Sequence, residues 1–151
     1  MKLFSPHVRT LSLVATRILF GAFLLLGTAY AAEGGKVVYH FDDTATQATK
    51  GLRNMANHLD VSPKTQIIAV AHANGIDFLL DGAKDEKNNI EYAPLISALK
   101  ARGVHFEVCE ITIKRRKLEK SKFVLDAEFT PSGVVRLAEL QNRDNFAYIK
   151  P

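Results

Sequence analysis

The sequence predicts an α/β fold in which helices cover both faces of a largely parallel sheet. Three observations carry this expectation. Short runs of strand formers alternate with stretches of helical periodicity, in the order β-α-β-α-α-β-α-β-α-β. One run, Ile67 to Ala71 (IIAVA), is apolar at every position, as a parallel strand covered on both faces requires. Helical stretches separate the strands, so crossovers rather than tight hairpins join them. No repeat, linker or low-complexity tract interrupts the order. A composition 47% hydrophobic and 24% charged excludes a disordered or collagen-like chain.

Lys36 to Phe41 (KVVYHF) is rich in strand formers, and Asp42, Asp43 and Thr44 then offer helix N-caps. Ala45, Ala48, Leu52, Met55, Ala56 and Leu59 form the stripe of an amphipathic helix, which Ser62-Pro63 ends. After the strand Ile67 to Ala71, Asn74 is expected to cap a short helix, Gly75 to Leu80, with Ile76, Leu79 and Leu80 inward. Asp81 to Asn89 is a polar, turn-rich loop. Tyr92, Leu95, Ile96 and Leu99 mark a helix that Gly103 stops from the C′ position. Val104 to Cys109 (VHFEVC) alternates, with Val104, Phe106 and Val108 on one face and His105, Glu107 and Cys109 on the other. Ile111 to Leu118 reads as a basic helix, and Phe123 to Phe129 contains a strand. Pro131 and Ser132 introduce a last helix with Val134, Val135, Leu137, Ala138 and Leu140 along it, and Phe146 to Ile149 closes the sheet.

Charge is distributed unevenly. Met1 to Ala31 holds Lys2, Arg9 and Arg17 and no acid, then the apolar run Ile18 to Gly27 and an A-x-A site formed by Ala29 and Ala31. A basic start, an apolar centre of about ten residues and small residues at the cut describe a secretory signal peptide cleaved after Ala31, too short to span a bilayer. The expected layout is a leader over residues 1–31 and one domain over 32–151, in the periplasm. Cleavage takes three positive charges from the formal +4, so the pI of about 9.2 belongs mainly to the leader. With it goes the support for nucleic-acid binding.

Ligands and chemistry in parallel sheets collect beyond the carboxyl ends of the strands. That rim holds His40, Asp42, His72, Asn74, Cys109 and Ser132. Cys109 is the sharpest candidate, because it ends a strand just before a helix opens at about Glu110 or Ile111. Free N–H groups and the helix dipole there favour thiolate, Lys114 to Lys117 add positive potential, and Glu110 opposes it. The competing reading is a small buried hydrophobe. One cysteine excludes an intramolecular disulfide. His105 and Cys109 lie about 13 Å apart along one strand, too far to share a metal ion. His40, His72 and Cys109 could converge from strand ends, but no spacing supports a metal and none is expected. Cys109, His72 and Asp77 can be written as a hydrolase triad, without a local nucleophile motif. His40 to Thr44 lacks glycine, which argues against a dinucleotide or P-loop site, and no cofactor is expected.

The stretch Ala98 to Leu118 (ALKARGVHFEVCEITIKRRKL) resembles the DsrE/DsrF-like family of small sulfur-relay proteins. Ile67 to Leu80, Pro131 to Leu140 and Ala147 to Pro151 are similar to its exported, single-cysteine members. The resemblance implies a three-layer α/β/α domain with a five-stranded, mainly parallel sheet, assembled as homo-oligomers, trimers or hexamers. It also implies that Cys109 accepts sulfane sulfur as a persulfide, at most a sulfurtransferase-like activity, with a sulfur-donor or acceptor protein as partner. Arg115, Arg116 and Lys117 are then the candidate anion-attracting residues, with His72 and Asn74 as pocket wall. The leader sets the chain apart from the cytoplasmic relatives that work in tRNA thiolation. Neither nucleic acid nor, after cleavage, membrane is an expected partner. The rival reading is a non-catalytic periplasmic binding or scaffold protein with an unreactive Cys109.

Overall fold

In the computed structural model, which describes residues 34–151, five parallel strands form one sheet between two helical layers. The leader expected over residues 1–31 lies outside the described residues. Strand β1 (Lys36–Asp43) leads into helix α1 (Thr44–Val61), and β2 (Gln66–Asn74) follows. A short antiparallel pair, β3 (Lys84–Asp85) and β4 (Ile90–Glu91), precedes α2 (Tyr92–Ala101). Then come β5 (His105–Cys109), α3 (Glu110–Arg115), β6 (Ala127–Thr130), α4 (Gly133–Asn142) and β7 (Ala147–Ile149). The strand order is β6-β5-β2-β1-β7, every neighbouring pair parallel.

Local chemistry explains most boundaries. The Asp43 carboxylate accepts the Thr46 N–H at 2.9 Å and so caps α1. Ser132 does the same for α4 through Val135 N–H. Gly103 takes φ +89° just past the end of α2, a conformation that costs a side chain dearly.

The two sheet faces differ. On one, Val37, Tyr39, Phe41, Ile67, Ala69, Phe106 and Val108 pack with Leu52, Met55, Ile96 and Phe78 in the large core. On the other, α4 alone covers a small cluster of Val38, Val70, Leu137, Leu140 and Phe146. The rest of that face carries ionisable groups, including Glu107, which a three-contact ion pair ties to Arg136 of α4. The carboxyl ends of the strands are thus roofed on this side only by the start of α4.

Several expected details differ. Asn74 caps no helix: it is the last residue of β2, paired with Asp43, and the expected Gly75–Leu80 helix is a single 3₁₀ turn at Asp77–Leu79. Gly75 packs on the Phe41–Asp42 backbone and Leu80 bridges to Phe123, which leaves no room to wind further. The basic helix is one and a half turns rather than reaching Leu118, because Lys117 turns left-handed at φ +53°. On α4 the stripe Gly133, Leu137 and Leu140 meets the sheet, leaving Val134 and Val135 63% and 55% exposed and Ala138 outward. On α1 the first inward residue is Gln47, not Ala45.

Candidate functional site

Three cavities of similar size open on the described surface. One, about 360 Å³, is an apolar groove between α1 and α2. Another, about 370 Å³, is lined by the acids Asp43, Asp77, Asp85 and Glu86 and by Lys84 and Lys87. The third, about 430 Å³, lies at the carboxyl ends of β2 and β5 and is lined by His72, Asn74, Cys109, Thr112, Arg115, Arg116 and Ser132. Only this one contains a nucleophilic thiol, since Cys109 is the one cysteine of the chain.

Cys109 is the last residue of β5 and the N-cap of α3. It is only 4% exposed, and the exposed edge lies in the cavity. Burial pushes the thiol pKa up. The backbone N–H groups of Gly133, Thr112 and Ile111, with the Thr112 hydroxyl, more than offset that and bring it below the ordinary thiol range. Thr112 suits this role because its oxygen accepts the Ala73 N–H at 3.1 Å, leaving its proton for sulfur.

Two helices therefore begin beside one sulfur. The start of α4 comes close because Gly133 has no side chain to push it off. A Cβ there would stand 3.2 Å from both the Cys109 and the His72 Cβ. Gly133 and Thr112 escape a reading of sequence. Their only signals are a glycine directly after an N-cap serine and a threonine three residues beyond the cysteine.

Arg116 lines the cavity while paired with Asp77 at 2.6 Å. That ion pair takes Asp77 away from the triad weighed from the sequence. Arg115 also lines the cavity and has no ion-pair partner among the described residues. Lys117 does not line it, and Glu110 is turned to Lys120. Asn74 stands between this cavity and the one lined by Asp43 and Asp77. Among the described residues no three His, Cys, Asp or Glu side chains are grouped to hold a metal ion.

Beside the thiol, His72 Nε2 lies 2.7 Å from His40 Nε2, and His40 Nδ1 lies 2.6 Å from the Tyr148 hydroxyl. Burial, and then the neighbouring His72, lower the His40 pKa to about 4 against the opposing pull of Asp42. Burial likewise lowers that of His72. The Asp42 carboxylate, held by Lys150 at 2.5 Å, has its pKa lowered.

Below the ordinary histidine value of 6.5, the unfolded chain binds protons that the folded pair refuses. Stability is greatest above pH 6.5, falls as the pH drops toward 4, and is flat in these groups below that. Denaturant titrations at pH 7 and pH 4.5 should show a loss of roughly 1 kcal/mol from this pair, discounted for the solvent that reaches both rings. His40→Gln should remove most of that difference.

A sequence profile described as the DsrE/DsrF-like family matches residues 22–151 of this chain. No curated protein matches it. Among solved structures, a protein of unknown function from Methanobacterium thermoautotrophicum, MTH1491, superposes with a TM-score of 0.69 at 24% identity. That similarity covers 78% of this chain and 99% of the other and shows the fold alone. With the profile matched over most of its length, and with a five-stranded parallel sheet between helical layers, the chain belongs to the DsrE/DsrF-like family.

Proposed function

We propose that this protein is an exported sulfur carrier that holds sulfane sulfur as a persulfide on Cys109. One observation carries the reading: the thiol edges an open cavity where α3 and α4 both begin, and the polar groups there lower its pKa against burial. The donors at Sγ favour the attacking thiolate, and the persulfide anion, whose charge sits mainly on its outer sulfur, projects that charge into the cavity that Arg115 lines. Arg115 supplies an uncommitted positive charge to draw anionic donors such as thiosulfate or polysulfide. Family membership supports sulfur relay in general terms. Export rests on the basic, apolar and A-x-A pattern of Met1 to Ala31. Self-association is part of the proposal, and the outward Val134 and Val135 give it an apolar surface.

The chemistry balances without an external oxidant. The Cys109 thiolate attacks the sulfane sulfur of thiosulfate; the new Sγ–S bond forms as the donor S–S bond breaks, and sulfite leaves with the electron pair. An acceptor thiolate then attacks the outer sulfur, the Sγ–S bond breaks, and Cys109 returns as thiolate. A lone cysteine suits this exchange, because no second thiol of the chain can resolve the persulfide into an internal disulfide.

The 4% exposure of Cys109 favours the rival reading, a scaffold whose thiol is inert. Mass spectrometry separates the two. After incubation with polysulfide between about pH 6 and 9, the protein should gain about 32 Da at Cys109, removable by reductant, and Cys109→Ser should gain nothing. An unmodified wild type whose native thiol also resists alkylation sinks the carrier and leaves the scaffold.

A further inference from the structure

We infer that Tyr148, His40 and His72 form a proton relay that takes the Cys109 thiol proton to solvent and returns it. This rests on Cys109 being the reactive group of the site. The sheet order places the three residues and the thiol on four successive strands or strand ends: Tyr148 on β7, His40 on β1, His72 on β2 and Cys109 on β5. Each link from Tyr148 to His72 is a short hydrogen bond, 2.6 Å and then 2.7 Å. His72 spends Nε2 on His40. Its Nδ1 has no hydrogen-bond partner among the described residues, and the residue lines the Cys109 cavity. Tyr148 is 43% exposed, so the relay has one end in the cavity that Cys109 lines and the other in water.

The Nε2–Nε2 contact allows one proton between the two rings, never two. That leaves two neutral arrangements. In the first, His72 Nε2–H donates to His40 Nε2, His40 Nδ1–H donates to the Tyr148 oxygen, and His72 Nδ1 is free to accept. In the second, the Tyr148 hydroxyl donates to His40 Nδ1, His40 Nε2–H donates to His72 Nε2, and His72 Nδ1–H donates into the cavity.

The first arrangement serves the thiol and the second the thiolate. When Cys109 ionises, its proton goes through water in the cavity that both residues line to His72 Nδ1. The proton on His72 Nε2 moves to His40 Nε2, that on His40 Nδ1 moves to the Tyr148 oxygen, and one proton leaves that hydroxyl for water. One proton enters, one exits, and neither ring becomes charged. Reversal returns a proton when the site needs a neutral thiol. Burial that disfavours both imidazolium forms keeps the pair in this neutral cycle. The charged groups around it are Asp42 and Lys150, which pair with each other, and Arg115 and Arg116 across the cavity. Arg115, which has no ion-pair partner among the described residues, favours the thiolate arrangement, whereas Arg116 is paired with Asp77.

Nitrogen-15 NMR of the imidazoles tests this directly, because the two tautomers have distinct shifts. In the full mature protein, His72 should change from the Nε2–H to the Nδ1–H tautomer, and His40 from Nδ1–H to Nε2–H. Both changes should follow the pH at which Cys109 loses its proton. Cys109→Ser should abolish them. Tyr148→Phe, which keeps the ring and its packing, should uncouple His40 and slow alkylation of Cys109 at pH 7 about threefold; His72→Gln should slow it about tenfold. Tautomers that ignore the thiol titration, or rings that become cationic with it, overturn the relay. A wild type that gains no sulfur yet shows the coupled switch overturns the carrier and not the relay; sulfur loading without the switch does the reverse.

Discussion

Gly75→Ala is expected to lower the stability of the fold by about 3 kcal/mol or more, a drop of roughly 10 °C in melting temperature. Gly75 is buried where the chain leaves β2 and crosses the end of β1. A Cβ there would stand 2.3 Å from the Phe41 carbonyl oxygen, 2.4 Å from its carbon and 2.6 Å from Asp42 N. These are backbone atoms of a strand paired on both sides, so no side-chain rotation relieves the clash. Relief requires moving β1 away from β2, which breaks the pairing of Phe41 with Ala71 and Asp43 with Asn74 and displaces the Phe41 side chain from the core. The same movement carries His40 and Asp42 away from the rim, so the 2.7 Å contact with His72 should be lost along with stability. Gly82→Ala is the control. It has φ +74° and nothing within 4 Å of a new Cβ, so only the left-handed backbone opposes it, at about 1 kcal/mol. Equal effects in chemical denaturation would remove the close-approach argument.

The same neighbourhood shows where sequence is readable and where it is not. Caps at Asp43 and Ser132, the C′ role of Gly103 and the strand that ends at Cys109 were legible, because each is decided within a few residues of itself. Asn74 is as good a helix cap as Asp43 in isolation. It stays in the sheet because its partner, Asp43, stands 31 places back in the chain. Ala73 before it turns to φ +50°, held by Thr112 of α3 through its N–H and by Arg116, the residue that ends α3, through its carbonyl. No window of sequence contains those contacts.

The site divides in the same way. Cys109 and the rim could be placed from strand ends alone. The donors that lower its pKa come partly from Gly133, and Tyr148 reaches His40 across 108 residues; both depend on the strand order β5-β2-β1-β7. Gln47 is hard to place from sequence because a polar residue on an inward stripe looks misplaced. Its carbonyl oxygen accepts the Asp42 and Asp43 N–H groups and its amide donates to the Asp42 carboxylate. Those partners satisfy every reason to keep it outside.

Arg136→Met should cost about 3 kcal/mol and, separately, blunt the thiol. Arg136 meets Glu107 through Nε at 3.1 and 2.8 Å and through Nη2 at 2.9 Å, a bidentate arrangement on a carboxylate whose side chain is 11% exposed. Methionine fills much of the same volume and leaves that carboxylate desolvated without a partner. The double variant Glu107→Leu with Arg136→Met should recover most of the loss, because an apolar pair strands no charge. The pair also fixes geometry. Glu107 lies two residues before Cys109 on β5, and Arg136 lies one turn beyond Gly133, so their contact holds the start of α4 over the sulfur. Releasing it should weaken the Gly133 N–H bond to sulfur, raise the thiol pKa and slow alkylation at pH 7 about threefold. The double variant restores stability without restoring the ionic anchor. It should therefore fold like the wild type and still alkylate slowly. If it alkylates at the wild-type rate, packing alone positions α4 and the ion pair serves only the fold. If Arg136→Met lies within about 0.5 kcal/mol of wild type, the carboxylate is solvated and the pair anchors nothing.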